Sequence, residues 1–112
     1  MTEVQNVEKN ATKEEKKYRY SITPRYQAWS EDDNIELRVV LPGVDKKDIE
    51  MKALSDTFML RARRDDILYR LDLDLNVDID TKKIKAEYHE GLLKVTMVRH
   101  DPLDDAYNVP IQ

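Results

Sequence analysis

No cysteine occurs in the 112 residues, which excludes disulfides, thiol chemistry and thiolate metal sites. Glycine is nearly as scarce: Gly43 and Gly91 are the only two, so a glycine-rich phosphate loop cannot be built. Long apolar runs are missing too. Nothing approaches the roughly 18 residues of a spanning helix, and the N-terminus lacks the basic-then-apolar order of a signal peptide. Both absences point to the cytosol and away from membranes. There is no basic excess either, with 19 Lys and Arg against 23 Asp and Glu and a net charge of −4. A general nucleic-acid binder more often carries a basic surplus or face. No stretch holds a helical period over three turns, and no internal repeat is found. What remains is a chain 38% charged and 40% apolar, long enough for one globular domain with a modest core.

The clearest local signal lies between Ile84 and Met97. Ile84, Ala86 and Tyr88 alternate with Lys85, Glu87 and His89, the period of a strand with one buried face. Glu90-Gly91 interrupts the pattern, and Leu93, Val95 and Met97 resume it. A tight reversal requires positive φ, which Gly91 supplies. The stretch is a predicted β-hairpin.

Similar alternations precede it. Met1–Lys17 is polar and charge-balanced; it cannot offset its ordering entropy and reads as a flexible arm. Tyr18, Tyr20 and Ile22 alternate up to Pro24 as a weak strand or a segment that docks on demand. Strands are predicted over Tyr26–Trp29, Ile35–Leu41, Ile49–Ala53, Phe58–Ala62 and Ile67–Leu75, broken by Glu31–Asn34, Leu41–Val44, Ser55-Asp56 and Arg64–Asp66. Asp45–Asp48 has the length of one helical turn. Arg99–Asn108 reads as a linker. The expected organisation is an arm over 1–22, an antiparallel, immunoglobulin-like β-sandwich over 23–98, and a linker with an apolar tail over 99–112.

Chemistry finds little support. His89 and His100 lie outside any H-E-x-x-H, and no G-x-S-x-G nucleophile motif occurs. No catalytic residue and no cofactor are expected. Asp72, Asp74, Asn76 and Asp78 have the two-residue spacing of a calcium loop. Val77 and Lys83, however, stand where that template needs glycine and glutamate, so these side chains read as the wet face of a strand and no metal is expected. Arg61, Arg63 and Arg64 form the one basic cluster. Asp65 and Asp66 beside them and the lack of interleaved aromatics favour a salt-bridged surface over nucleic acid.

The tail is more informative. Val109 and Ile111 point the same way in an extended chain, and Pro110 holds the backbone extended. Such an apolar pair on a polar tether suits a peptide that adds along a sheet edge and fills two pockets. A frayed terminus is the alternative.

Three separated pieces resemble the small heat-shock protein family. Leu41-Pro42-Gly43-Val44-Asp45-Lys46-Lys47-Asp48-Ile49 is similar to its L-P-G-x-x-x-x-D-I link, Gly91-Leu92-Leu93 to its last hairpin, and Val109-Pro110-Ile111 to its C-terminal I/V-x-I/V motif. The resemblance covers Pro24 to the end. It implies an α-crystallin domain and an ATP-independent holdase that binds partly unfolded client proteins and assembles with itself. It also implies a tail-docking groove lined by Ile49, Met51, Ala53, Ile84, Ala86 and Tyr88. Two features depart from the family. Arg63–Ile67 is too short for the strand that bacterial, archaeal and plant members exchange, so a dimer would form through Ile67, Leu68, Tyr69, Arg70 and Leu71, or not form. The arm also lacks the family's aromatic, apolar character. Alternatives are a monomeric co-chaperone or scaffold of the CS-domain type, and a small RNA-binding β-domain using the arginines.

Overall fold

The computed structural model describes residues 18–112; the arm expected over Met1–Lys17 lies outside them. Alternating sequence becomes eight strands: β1 (Tyr20–Ile22), β2 (Tyr26–Glu31), β3 (Asn34–Val40), β4 (Ile49–Leu54), β5 (Thr57–Arg64), β6 (Ile67–Asp74), β7 (Ile79–His89) and β8 (Leu92–Arg99). Two 3₁₀ turns, at Lys46–Asp48 and Pro102–Asp105, are the only helical elements among the described residues.

The strands form two sheets of four, ordered β1-β6-β5-β4 and β2-β3-β8-β7. Every pairing is antiparallel except β1 with β6, which run parallel with Tyr20 beside Ile67 and Ile22 beside Tyr69. A chain arriving at β6 from outside the sandwich can take either direction, and here Tyr20 N–H donates to the Asp66 carbonyl at 3.0 Å. Inward positions from the two sheets meet in one core. Leu37, Val39, Leu93, Val95 and Met97 face Phe58, Leu60, Ala62 and Leu71, all buried.

The turns follow the chemistry of their residues. Glu90 and Gly91 both have positive φ, 48° and 83°, as a two-residue hairpin of matching twist requires. Asp32 and Asp65 take φ of 54° and 53° at two of the other three two-residue reversals, a region aspartate tolerates. The Arg64–Ile67 connection is therefore only Asp65-Asp66. Strand β7 begins earlier than its alternation suggests, because a bulge between Ile79 and Ile84 hides the period.

Candidate functional site

The strands that end each sheet meet along one rim, β4 from the first sheet and β7 from the second. Register fixes which side chains look into that seam. Ile49, Met51 and Ala53 stand opposite Ala62, Leu60 and Phe58 of β5. Ile84, Ala86 and Tyr88 stand opposite Met97, Val95 and Leu93 of β8. All six residues expected to line a groove thus share one inner rim. Five are half-buried against the core and Ala86 is exposed. Lys52 on β4 and Lys82, Lys83 and Lys85 on β7 are exposed around it.

Tyr88 closes one end. Its hydroxyl lies 2.6 Å from the Val44 carbonyl and 2.9 Å from that of Leu41, so one proton serves two acceptors. Leu41 N–H donates to the Gly91 carbonyl at 2.7 Å. The Leu41–Val44 link and the hairpin turn are thereby held together. Gly43 has φ of 76° there, and a Cβ on it would sit 2.8 Å from the Arg64 Cδ. Burial pushes the Tyr88 phenol above its ordinary pKa, and the Asp45 carboxylate adds to the shift. Beyond Tyr88 an open pocket of about 510 Å³ is lined by Pro42, Val44, Lys46 and Gly91.

The tail does not fill this seam from within its own chain. Val109 is 79% exposed and Ile111 99%. Tyr107, two residues earlier on the same side of an extended chain, is 78% exposed. It makes a third apolar knob that sequence reading missed, although the odd-numbered spacing carried the signal. The strand expected to pair with a second copy is β6. Leu68, Tyr69 and Leu71 are buried, and β1 already covers its edge at Ile67–Tyr69. A partner pairing there must displace β1.

The arginine cluster is engaged with carboxylates and a phenol. Arg61 Nη1 donates to Asp72 at 2.8 Å, Arg63 Nη2 to Glu50 at 3.3 Å and Arg64 Nη2 to the Tyr69 hydroxyl at 3.3 Å. Burial would raise the Asp72 carboxyl, but Arg61 and then Arg70 outweigh it and hold the pKa below the ordinary value. Among the described residues no three His, Cys, Asp or Glu side chains converge, and no helix is long and apolar enough to cross a membrane. Asp74 instead accepts from the Asn76 N–H at 3.1 Å.

The fold is thus a β-sandwich whose apolar β4–β7 rim is left open by its own described residues, with Val109 and Ile111 exposed. The Hsp20/alpha crystallin family model matches residues 27–112, and the chain belongs to that family. A probable 15 kDa heat shock protein of Leptospira interrogans is 29% identical, the match covering 82% of each chain. Heat shock protein 16.0 of Schizosaccharomyces pombe superposes with a TM-score of 0.67 at 19% identity, over 82% of this chain and 77% of that one. A small heat-shock protein of Xylella fastidiosa, whose crystal structure has a distinct high-order arrangement, gives 0.60 at 19% identity, over 80% and 93%. At these identities the solved structures carry the fold. Family members are ATP-independent chaperones, not enzymes. Membership supports a chaperone-type function here, with self-association and the binding of unfolded proteins.

Proposed function

We propose that this protein is a cytoplasmic holdase that binds partly unfolded proteins and prevents their aggregation without nucleotide turnover. Its subunits connect by laying Val109, Pro110 and Ile111 into the β4–β7 seam of a neighbour. The observation that carries this reading is the pairing of an exposed apolar tail with an apolar rim that its own chain leaves open. An uncapped rim in a sandwich is an aggregation liability, and a reversible cap turns it into an assembly contact or frees it for client segments. Asp101, Asp104 and Asp105 precede the tail, and lysines surround the rim, which supports docking between copies by charge.

The reading is tested with a model client heated in the presence of equimolar subunit and no nucleotide, following light scattering. Suppressed scattering is expected; an unchanged aggregation curve would overturn it. A monomeric scaffold of the CS-domain type is the second reading, favoured by the two-residue Asp65-Asp66 connection and by β1 on the edge of β6. A monomeric native mass together with no client protection would establish it in place of the first.

A further inference from the structure

Each sheet has two outer edges, and the four are not equally guarded. Strand β1 offers only three residues. Strand β7 carries a bulge and Lys82, Lys83 and Lys85, devices that discourage strand addition. Strand β4 borders the rim it shares with β7. Strand β2 has none of these protections. It runs six residues in unbroken register, without proline or lysine, and its charges stand only at its ends as Arg25 and Glu31.

The ladder to β3 shows which backbone groups of β2 are free. Val40 N–H donates to the Arg25 carbonyl at 2.9 Å, so Arg25, Gln27, Trp29 and Glu31 direct their polar groups toward β3 in alternating fashion. The N–H and C=O groups of Tyr26, Ala28 and Ser30 therefore point outward.

We propose that β2 of two copies pair antiparallel about a two-fold axis at Ala28, joining two four-stranded sheets into one of eight. Parity selects this register. Ala28 faces Ala28 and Tyr26 faces Ser30 of the other copy, so all three outward residues of each strand exchange both bonds. Each Arg25 then stands opposite a Glu31 on the outer face. A centre at Gln27 or Trp29 leaves an outward residue unmatched, placing Pro24 or the Asp32 turn against it. The Trp29 centre also sets two indoles against each other. Ala28 is the smallest side chain of the strand and sits on the two-fold axis, where it meets its own copy. Apolar surface on this flank supports the assignment, since Tyr26 is 43% exposed, with Tyr20 and Ile22 of β1 also uncovered. An open cavity of about 300 Å³ continues inward from Tyr26 and Ala28 to Leu73, Leu75 and Val77. The contact is small, so dimerisation falls in the micromolar range or weaker.

The test uses the full-length chain with Val109→Ala and Ile111→Ala, which removes the tail contact so that its failure is separate from this one. Sedimentation velocity over a wide concentration range gives the dimer Kd. Ala28→Pro deletes the N–H at the axis on an edge that tolerates proline and is expected to weaken the dimer about a hundredfold. Arg25→Glu replaces two attractions by two repulsions and is expected to raise Kd about tenfold. Adding Glu31→Arg to it restores the pairs, and Kd is expected to return to within about threefold of the starting chain. The charge variants decide the matter even where Ala28→Pro fails to fold. A strictly monomeric starting chain, a Kd indifferent to Arg25→Glu, or no rescue by the double exchange would each overturn the proposal.

Discussion

Replacing Val109 and Ile111 together by alanine separates assembly from folding. The two substitutions remove two and three carbons. At about 0.8 kcal/mol per buried CH₂, full burial in a neighbour's rim would cost about 4 kcal/mol per tail when lost. That is about a thousandfold in the Kd of the contact, and half burial still leaves about thirtyfold. Folding should be almost untouched. With the side chains 79% and 99% exposed on their own chain, an effect within about 0.5 kcal/mol is expected, or at most about 4 °C in Tm. Native mass spectrometry and sedimentation velocity read the first quantity. Thermal unfolding at high dilution reads the second, because assembly itself would raise Tm at higher concentration. An unchanged mass distribution would refute the connector role. A fall of about 8 °C in the dilute sample would refute the premise, since those side chains would then be packing on their own domain.

Tyr88→Phe removes the hydroxyl shared by Leu41 and Val44 and should lower stability by about 1 kcal/mol, read as a urea midpoint shift. The Tyr88 phenol is raised in the folded state, so its contribution is complete below the unfolded value near pH 10 and is lost as pH rises through the folded value. Wild type should therefore lose more stability than Tyr88→Phe on alkaline titration, and parallel curves would disprove the link. The Asp72 carboxyl is lowered instead. Its contribution is present above the unfolded value near 3.8 and disappears as pH falls through the folded one, so Asp72→Asn should flatten the acid limb below about pH 4. Gly43→Ala adds a close approach to Arg64 to the strain of positive φ, whereas a Cβ on Gly91 meets nothing nearer than 3.5 Å. Both should cost about 1–3 kcal/mol, with Gly43→Ala the larger; the reverse order in chemical unfolding would contradict the geometry.

Alternation was enough to place β3, β5, β6 and the β7–β8 hairpin, because each has a buried and a wet face and period two is the direct record of that. It also put Ile49, Met51, Ala53, Ile84, Ala86 and Tyr88 on inner faces. Their meeting at one rim was not local information; it follows from which strands end the sheets. Tyr20-Ser21-Ile22 advertises a strand but not a parallel partner 47 residues on, since pairing is decided by an edge the segment cannot specify. The bulge before Ile84 erased the period of β7 over Asp80–Lys83. The acceptors of the Tyr88 hydroxyl lie 44 and 47 residues away, so the side chain expected to line a groove is seen as a bolt between the link and the hairpin. The linker hid a 3₁₀ turn at Pro102–Asp105, where Pro102 sets φ and the Asp101 carboxylate accepts from the Leu103 N–H at 2.9 Å.

That turn bears on how the proposed contacts combine. Pairing of β2 with itself is isologous and stops at two subunits. A tail entering a neighbour's rim is heterologous, and such contacts close into rings or run on as filaments according to the angle between donor and acceptor. The angle is set where the tail leaves β8. There His100 N–H donates to the Asp78 carbonyl at 2.8 Å, and the His100 ring nitrogen Nε2 lies 2.8 Å from the Asp105 carboxylate. The first contact ties His100 to the end of the sandwich, and the second, with the turn's own bonds, folds Asp101–Ala106 back on itself. If the proposed tail contact forms, the turn over Pro102–Asp105, and not only Val109 and Ile111, would bear on the size of the assembly.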